Sequence, residues 1–262
     1  ISESTGKHGT GLLPVVVESV DSPDFAAAPD RQLVTLGTPL HIDGVTVSGT
    51  LGGQFLAWEY ATAVAGRLLG INPFDQPNVQ ESKDNTNKIL ADAGDGPLPE
   101  GEPIFVDGAV EIHTDDPILL GGANSLAGVI SALLQAIPDR GYLALMAYLD
   151  RHADSAAALV RKPLARRTPH PVTFGWAPRF LHSTGQYHKG GPQTGAFLQI
   201  TGAVEHDLAI PGRPFGFKRL QMAQALGDLR ALQQRGRPVL RLHLLDRTAG
   251  LQQLLDAAGA GQ

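Results

Sequence analysis

The sequence contains no cysteine, which excludes disulfide bonds, thiolate-ligated zinc and thiol nucleophiles. Charge is scarce as well. Asp, Glu, Lys and Arg make up 18% of the 262 residues, below the ~25% usual for soluble domains. The balance of 21 basic against 26 acidic side chains leaves a net charge of −5 and no Lys/Arg-rich block. A nucleic-acid partner is therefore not expected. A surface so poor in charge points to coverage by a partner or by a further domain. The longest uninterrupted apolar run, Tyr142 to Leu149, is far short of the ~20 residues of a membrane span, so no membrane partner is expected either. The chain begins Ile1-Ser2-Glu3 without a Met or a signal-peptide pattern. It reads as part of a longer polypeptide with a cytoplasmic address. No GxGxxG, GxxxxGK[ST] or GxSxG stands in it, which leaves nucleotide binding and serine hydrolysis without local support.

What is present is a hydrophobic fraction of 42%, with 31 Gly and 19 Pro. That suits a well-buried core connected by many tight turns. Leu12–Glu18, Gln32–Leu36 and Gly44–Val47 read as strands. Phe55–Leu69 carries only Glu59 and Arg67 as charges and predicts a central, buried helix. Asp75 is a suitable N-cap for a helix from Gln76 to Leu90. The Gly/Pro/acid-rich stretch 92–102 predicts a boundary, giving segments 1–95 and 96–262. Beyond it, strands at 103–106, 109–113, 142–149, 170–174, 196–201 and 238–244 alternate with helices at 125–137, 153–166, 218–235 and 249–258. A Gly-rich loop is expected at 184–195. Alternation of this kind predicts an α/β fold with a mostly parallel sheet.

Three segments are rich in chemistry. In ISESTGKHGTG (1–11), Glu3 stands on a Gly-rich stretch that lets a carboxylate approach a substrate carbon, as a proton-transferring base must. In FDQPNVQESK (74–83), Gln76 and Lys83 lie two helical turns apart near a helix N-terminus, which suits an anionic substrate. In FLHSTGQYHKGG (180–191), His182, His188, two hydroxyls, Gln186 and Lys189 follow a strand. On spacing alone, a solvated charge, an N-capped surface helix and a hydrogen-bonded turn remain open as plainer readings. His41, His113, His152, His170, His206 and His243 are scattered and read as structural; no metal site is expected.

Taken together, ESTGKHGTG (3–11), GRLLGINPFDQPNVQESK (66–83) and FLHSTGQYHKGG (180–191) resemble the glucose-6-phosphate isomerase family. The likeness is nearest to the C-terminal half of the isomerase part of bacterial transaldolase–isomerase fusion proteins. The resemblance implies a sugar-isomerase three-layer α/β sandwich, incomplete in this chain, and the interconversion of glucose 6-phosphate and fructose 6-phosphate through a cis-enediol. It implies Glu3 as the base that moves the proton between C2 and C1, and Lys83 and His182 as aids to ring opening. Gln76, Ser183 and Gln186 would hold the substrate. No cofactor is implied, and a homodimer is. The family's Ser/Thr phosphate loop and enediol-stabilising Arg segment lie upstream of the ESTGK motif and have no counterpart here. The missing N-terminal half is thus an expected partner, and this chain alone is expected to turn over little substrate. A non-catalytic sugar-phosphate-binding regulatory domain is the alternative.

Overall fold

The computed structural model describes residues 1–40 and 43–259, which leaves His41 outside the described residues. Six strands form the central sheet: β3 (Phe105–Asp107), β4 (Val110–His113), β5 (Tyr142–Ala147), β6 (Val172–Trp176), β7 (Gly195–Gly202) and β8 (Val239–Leu244). Their order is β3-β4-β8-β7-β5-β6, with β8, β7, β5 and β6 parallel and β4 and β3 added antiparallel at one edge. The two inner strands of the parallel part, β5 and β7, are buried at every residue, as the near-continuous apolar runs YLALMA and AFLQIT require of strands covered on both faces. One face is covered by α4 (Leu126–Gln135) and α8 (Arg247–Ala258), whose leucines join Leu143, Leu145, Leu198 and Leu242 in the larger core. The other carries α6 (Ser183–Gly190) and α7 (Phe217–Gln233), packed on Tyr142, Met146 and Phe197. The result is a three-layer α/β sandwich with a mostly parallel sheet.

The N-terminal third lies outside those layers. Helix α1 (Ser2–Thr5) packs on α6, and α3 (Val79–Ala93) packs along α7. The α3–α7 pair is antiparallel: Arg235 makes two hydrogen bonds to the Glu81 carboxylate at one end, and Arg219 reaches the Gly94 carbonyl at the other. Strands β1 (Val34–Leu36) and β2 (Val45–Val47) form a separate parallel pair.

Four sequence expectations need correction. Leu12–Glu18 alternates in exposure along its length but pairs with no strand among the described residues; it is held instead at its end. There the Arg161 guanidinium, 2% exposed, binds the Glu18 and Asp24 carboxylates and the Ser22 hydroxyl. The bond from Arg161 holds the Glu18 carboxyl below the usual carboxylate range. Helix α2 (Leu51–Leu69) is not central: Gly66, against Pro73, is its one buried residue, because little of the described chain beyond α1 and that turn lies on it. Asp75 does not cap α3, which starts only at Val79, because the Lys7 ammonium takes the Asp75 carboxylate at 2.8 Å. Gln76 therefore stands in the turn ahead of the helix, off the face that carries Lys83. Finally, 183–190 is helix rather than loop. Its glycines are needed for close packing: a Cβ on Gly185 would overlap the Phe180 carbonyl.

A buried ion pair fixes α6 to α7, with Lys189 Nζ 2.8 Å from Asp228 Oδ1 and both side chains inaccessible to solvent. Tyr148 donates to the other carboxylate oxygen at 2.5 Å. Beside it the His188 ring stacks on Phe180 at 5.9 Å and meets Phe197 edge-on at 5.1 Å. Burial, reinforced by the Lys189 ammonium, depresses the His188 imidazole to about 3. The unfolded chain therefore binds this proton first, so the neutral ring's stability is complete above about pH 6.5 and declines as pH falls toward 3. Replacing His188 by Leu should flatten that slope. The loss of unfolding free energy between pH 7.5 and pH 5, measured in urea, should shrink by about 2 kcal/mol. An unchanged slope would show that the imidazole is not held neutral.

Candidate functional site

The three chemistry-rich segments, far apart in sequence, meet at one buried amide. Gln186, fully enclosed, lies on α6. Its Nε2 donates to the Gly6 carbonyl at 2.8 Å and to Asn78 Oδ1 at 2.9 Å, while its Oε1 accepts from the Asn78 backbone N–H at 2.9 Å. One side chain thus joins the Glu3 segment, the start of α3 and α6. The Gly9 N–H adds a further bond to the Gly190 carbonyl at 2.9 Å.

Glycines make this approach possible. A Cβ on Gly6 would overlap the backbone of Tyr187, and one on Gly190 would overlap Asn78 Oδ1, the Gly6 carbonyl and the Gln186 amide together. No larger residue fits either place without moving α1 or α3.

Lys7 supplies the second link. Its ammonium, 0% exposed, donates to the Asn72 carbonyl at 2.7 Å, to the Asp75 carbonyl and to the Asp75 carboxylate. The bond from Lys7 holds the Asp75 carboxyl below its ordinary range. Thr5 closes the local turn, its hydroxyl donating to the Ile1 carbonyl and accepting from the Leu12 N–H. Arg235 ties the far side by donating to the Lys189 carbonyl as well as to Glu81.

Around this frame, Glu3 is half-buried on α1, and Lys83 is half-buried on α3, a helix that touches both α6 and the 179–181 turn. His182 is exposed immediately ahead of α6, where its carbonyl accepts from the Gln186 N–H at 3.2 Å. Ser183 is half-buried in the first turn of α6, and Gln76 is exposed. Among the described residues, the side chains of Glu3, Lys83, His182, Gln76 and Ser183 make no hydrogen bond or ion pair. The structure brings the three segments together through Gln186 while leaving these side chains unpaired. The sequence reading missed Lys7 and Asn78. Lys7 is an amine inside the ESTGK string itself, which was the available signal; nothing local marks Asn78.

Two cavities accompany the frame. One of about 480 Å³ lies between α1 and α2, lined by Ile1, Ser4, Phe55, Trp58, Thr62 and Phe74. The other, of about 460 Å³, opens at the C-terminal ends of β5, β7 and β8, with Tyr148, Thr201, Lys218, Met222 and His243 in its wall. It occupies the point where the connections from β5 and β7 leave to opposite faces, a usual place for ligands in such sheets. Tyr148 in its wall donates to Asp228, the partner of Lys189 on α6, so this cavity backs onto the buried layer beneath the Gln186 clamp. In this cavity wall the His243 imidazole is lowered to about 4, first by burial and then by Arg241, and it shares a 2.9 Å hydrogen bond with Thr201.

No family model matches this chain. A 45-residue stretch is 44% identical to glucose-6-phosphate isomerase of Leptospira biflexa serovar Patoc, covering 17% of this chain and 10% of that protein. A 41-residue stretch is 51% identical to glucose-6-phosphate isomerase of Mycoplasmopsis pulmonis, covering 16% and 10%. The match thus spans about a tenth of the length of these curated relatives. Among solved structures, the hypothetical protein TT0462 from Thermus thermophilus is similar over 82% of this chain and 51% of its own, with 17% identity and a TM-score of 0.43.

Replacing Gln186 by Leu should orphan the Asn78 N–H and the Gly6 carbonyl, destabilising the chain by about 2–4 kcal/mol in urea unfolding. Gln186→Glu should cost at least as much, because a carboxylate would face the Gly6 and Asn78 oxygens. A Glu variant as stable as the parent would show that the amide hydrogens do not hold these segments.

Proposed function

We propose that this chain carries the proton-transfer part of an aldose–ketose isomerase acting on glucose 6-phosphate and fructose 6-phosphate. The observation that supports it best is the Gln186 clamp, which holds the Glu3, Asn78 and His182 segments side by side. The short stretches identical to glucose-6-phosphate isomerases support the same reading.

In this reading Glu3 removes the proton from C2 of the open-chain sugar and returns it to C1, and the reverse. A single carboxylate serves both directions because the enediol keeps the two carbons adjacent. His182 exchanges the ring-oxygen proton and Lys83 stabilises the charge that develops as the ring opens; imidazole and ammonium suit those tasks. Gln76 and Ser183 contact sugar hydroxyls. The Gln186 amide would act on substrate mainly by keeping the three segments in register, since its hydrogen bonds are already made within the protein. The chemistry calls for no cofactor.

A phosphate-binding half outside this chain would complete the site. Without it the remote binding energy that drives the reaction is lost, so the chain alone turns over little. A sugar-phosphate-binding regulatory domain is the second reading, favoured by the absence of any hydrogen bond linking the Glu3, Lys83 and His182 side chains among the described residues.

A coupled isomerase assay separates these. It is run on this chain and on a longer polypeptide that adds a phosphate-binding half, each with and without Glu3→Gln. Turnover should appear in the longer form and fall by about 10²–10⁴-fold in the Glu3→Gln variant, with sugar-phosphate binding retained in calorimetry. Unchanged turnover in that variant would remove Glu3 as the base. Binding without turnover in every form would favour the regulatory reading.

A further inference from the structure

The cavity at the C-terminal ends of β5, β7 and β8 has none of Glu3, Gln76, Lys83, His182, Ser183 or Gln186 in its wall. Its surroundings carry positive charge that the protein does not itself neutralise. Lys218 and Arg219, in the first turn of α7, belong to the wall, and both donate to main-chain carbonyls. Lys218 reaches Val204 at 3.1 Å and Arg219 reaches Gly94 at 2.8 Å. Arg241 stands two residues deeper along β8 than His243, on the same face of the strand. It is 1% exposed, and its Nη2 donates to the carbonyl of Glu100, which lines the cavity, while its Nε has no partner. Among the described residues, none of these three cations forms an ion pair.

A buried guanidinium without a counter-charge is costly to a fold. Burial lowers the pKa of Arg241, and Glu100, Glu111 and Asp115 oppose that only at longer range. The two carboxylates of the wall do not relieve it. Asp207 is engaged with the start of α7, accepting from the Lys218 backbone N–H at 2.7 Å. Glu100 offers Arg241 its main chain and not its carboxylate. The rest of the wall narrows the kind of anion that suits it. Pro97, Leu98, Val204 and Met222 make part of it apolar. His243, held neutral by burial and by Arg241, and Thr201 add polar groups without charge. A strongly hydrated inorganic ion gains nothing from such a surface, whereas an anion on an apolar body matches both parts.

We propose that this cavity binds a small organic oxyanion, a phosphate monoester or a carboxylate carried on an apolar or aromatic body. Lys218 and Arg219 exchange their carbonyl partners for the anionic group, Arg241 finds its counter-charge from below, and Leu98 and Met222 cover the body. The site does not depend on the isomerase reading, whose residues line none of it.

The test is titration calorimetry of the chain with phenyl phosphate, benzoate and inorganic phosphate. Phenyl phosphate, benzoate or both should bind at least about tenfold more tightly than inorganic phosphate. The tighter of the two identifies the anionic group. The double variant Lys218→Ala/Arg219→Ala should weaken that binding by about tenfold or more. Arg241→Met should weaken it as much without lowering the urea midpoint of the free chain, because it removes an unpaired buried charge. Lys83→Met should leave the affinity unchanged. Failure of both organic anions to bind at ~10 mM overturns the proposal. So does binding indifferent to the Lys218/Arg219 double variant, or a folded Arg241→Met chain that binds as tightly as the parent. Inorganic phosphate bound as tightly as phenyl phosphate overturns the apolar body. Loss of binding in Lys83→Met would assign the anion to the isomerase centre and overturn the separate site.

Discussion

One primary amide, shut away from water, sets the relation between three stretches of chain that lie some seventy to one hundred and eighty residues apart. Gln186 offers two hydrogens and an oxygen, and the Gly6 carbonyl and the two polar groups of Asn78 take them all. In a low-dielectric interior such a set is all or nothing: fully met it is rigid, and with one member missing it leaves orphaned groups whose desolvation is uncompensated. Because a glycine stands wherever the backbones come closest, the segments approach with no bulky side chain between them. The positions of Glu3, α3 and the His182 turn are therefore not independent. A shift of any one must break a bond made to the same side chain.

The layer beneath reinforces this. The Lys189–Asp228 pair sits one turn from Gln186 on the same helix, and the Lys189 ammonium also donates to the Phe180 carbonyl, two residues before His182. Burying two charges gains little net stability, but it selects one arrangement, since any alternative strands a charge. The apolar face of α6 and the polar contacts at its ends thus agree on a single placement, while His182 itself remains in solvent.

Much of the fold is legible in the sequence wherever burial governs structure. Strands β4 to β8 fall close to their apolar runs, and α4 and α8 overlap the helices expected at 125–137 and 249–258. The failures share a cause. Leu12–Glu18 has a strand's composition, but a strand also needs a neighbour, and tertiary anchoring by Arg161 supplies an alternative. Asp75 has a cap's chemistry, but a buried ammonium from the other end of the N-terminal segment binds it before the helix end can. Residues 183–190 read as loop because glycine lowers helix propensity, whereas here glycine is what lets the helix lie against other backbones. Helix α2 reads as interior because it is apolar, yet composition says only that a surface is to be covered, not by what. Within the candidate site, the three segments are legible as motifs; the Lys7 and Asn78 bridges that assemble them are not.

The Arg161 anchor bears on Glu3 in a way that its distance conceals. Between the Lys7 clamp and the Glu18 ion pair lie only ten residues: a tight turn closed by a bridge between Lys7 and Thr10, then a run from 11 to 17 without helix or sheet partner among the described residues. Both ends of the segment are held by a buried cation, so α1 cannot move outward without breaking the Lys7 bonds to Asn72 and Asp75 and the bond from Gln186 to Gly6. The ordering of the α1 backbone is thereby completed during folding rather than left to be imposed by a later contact.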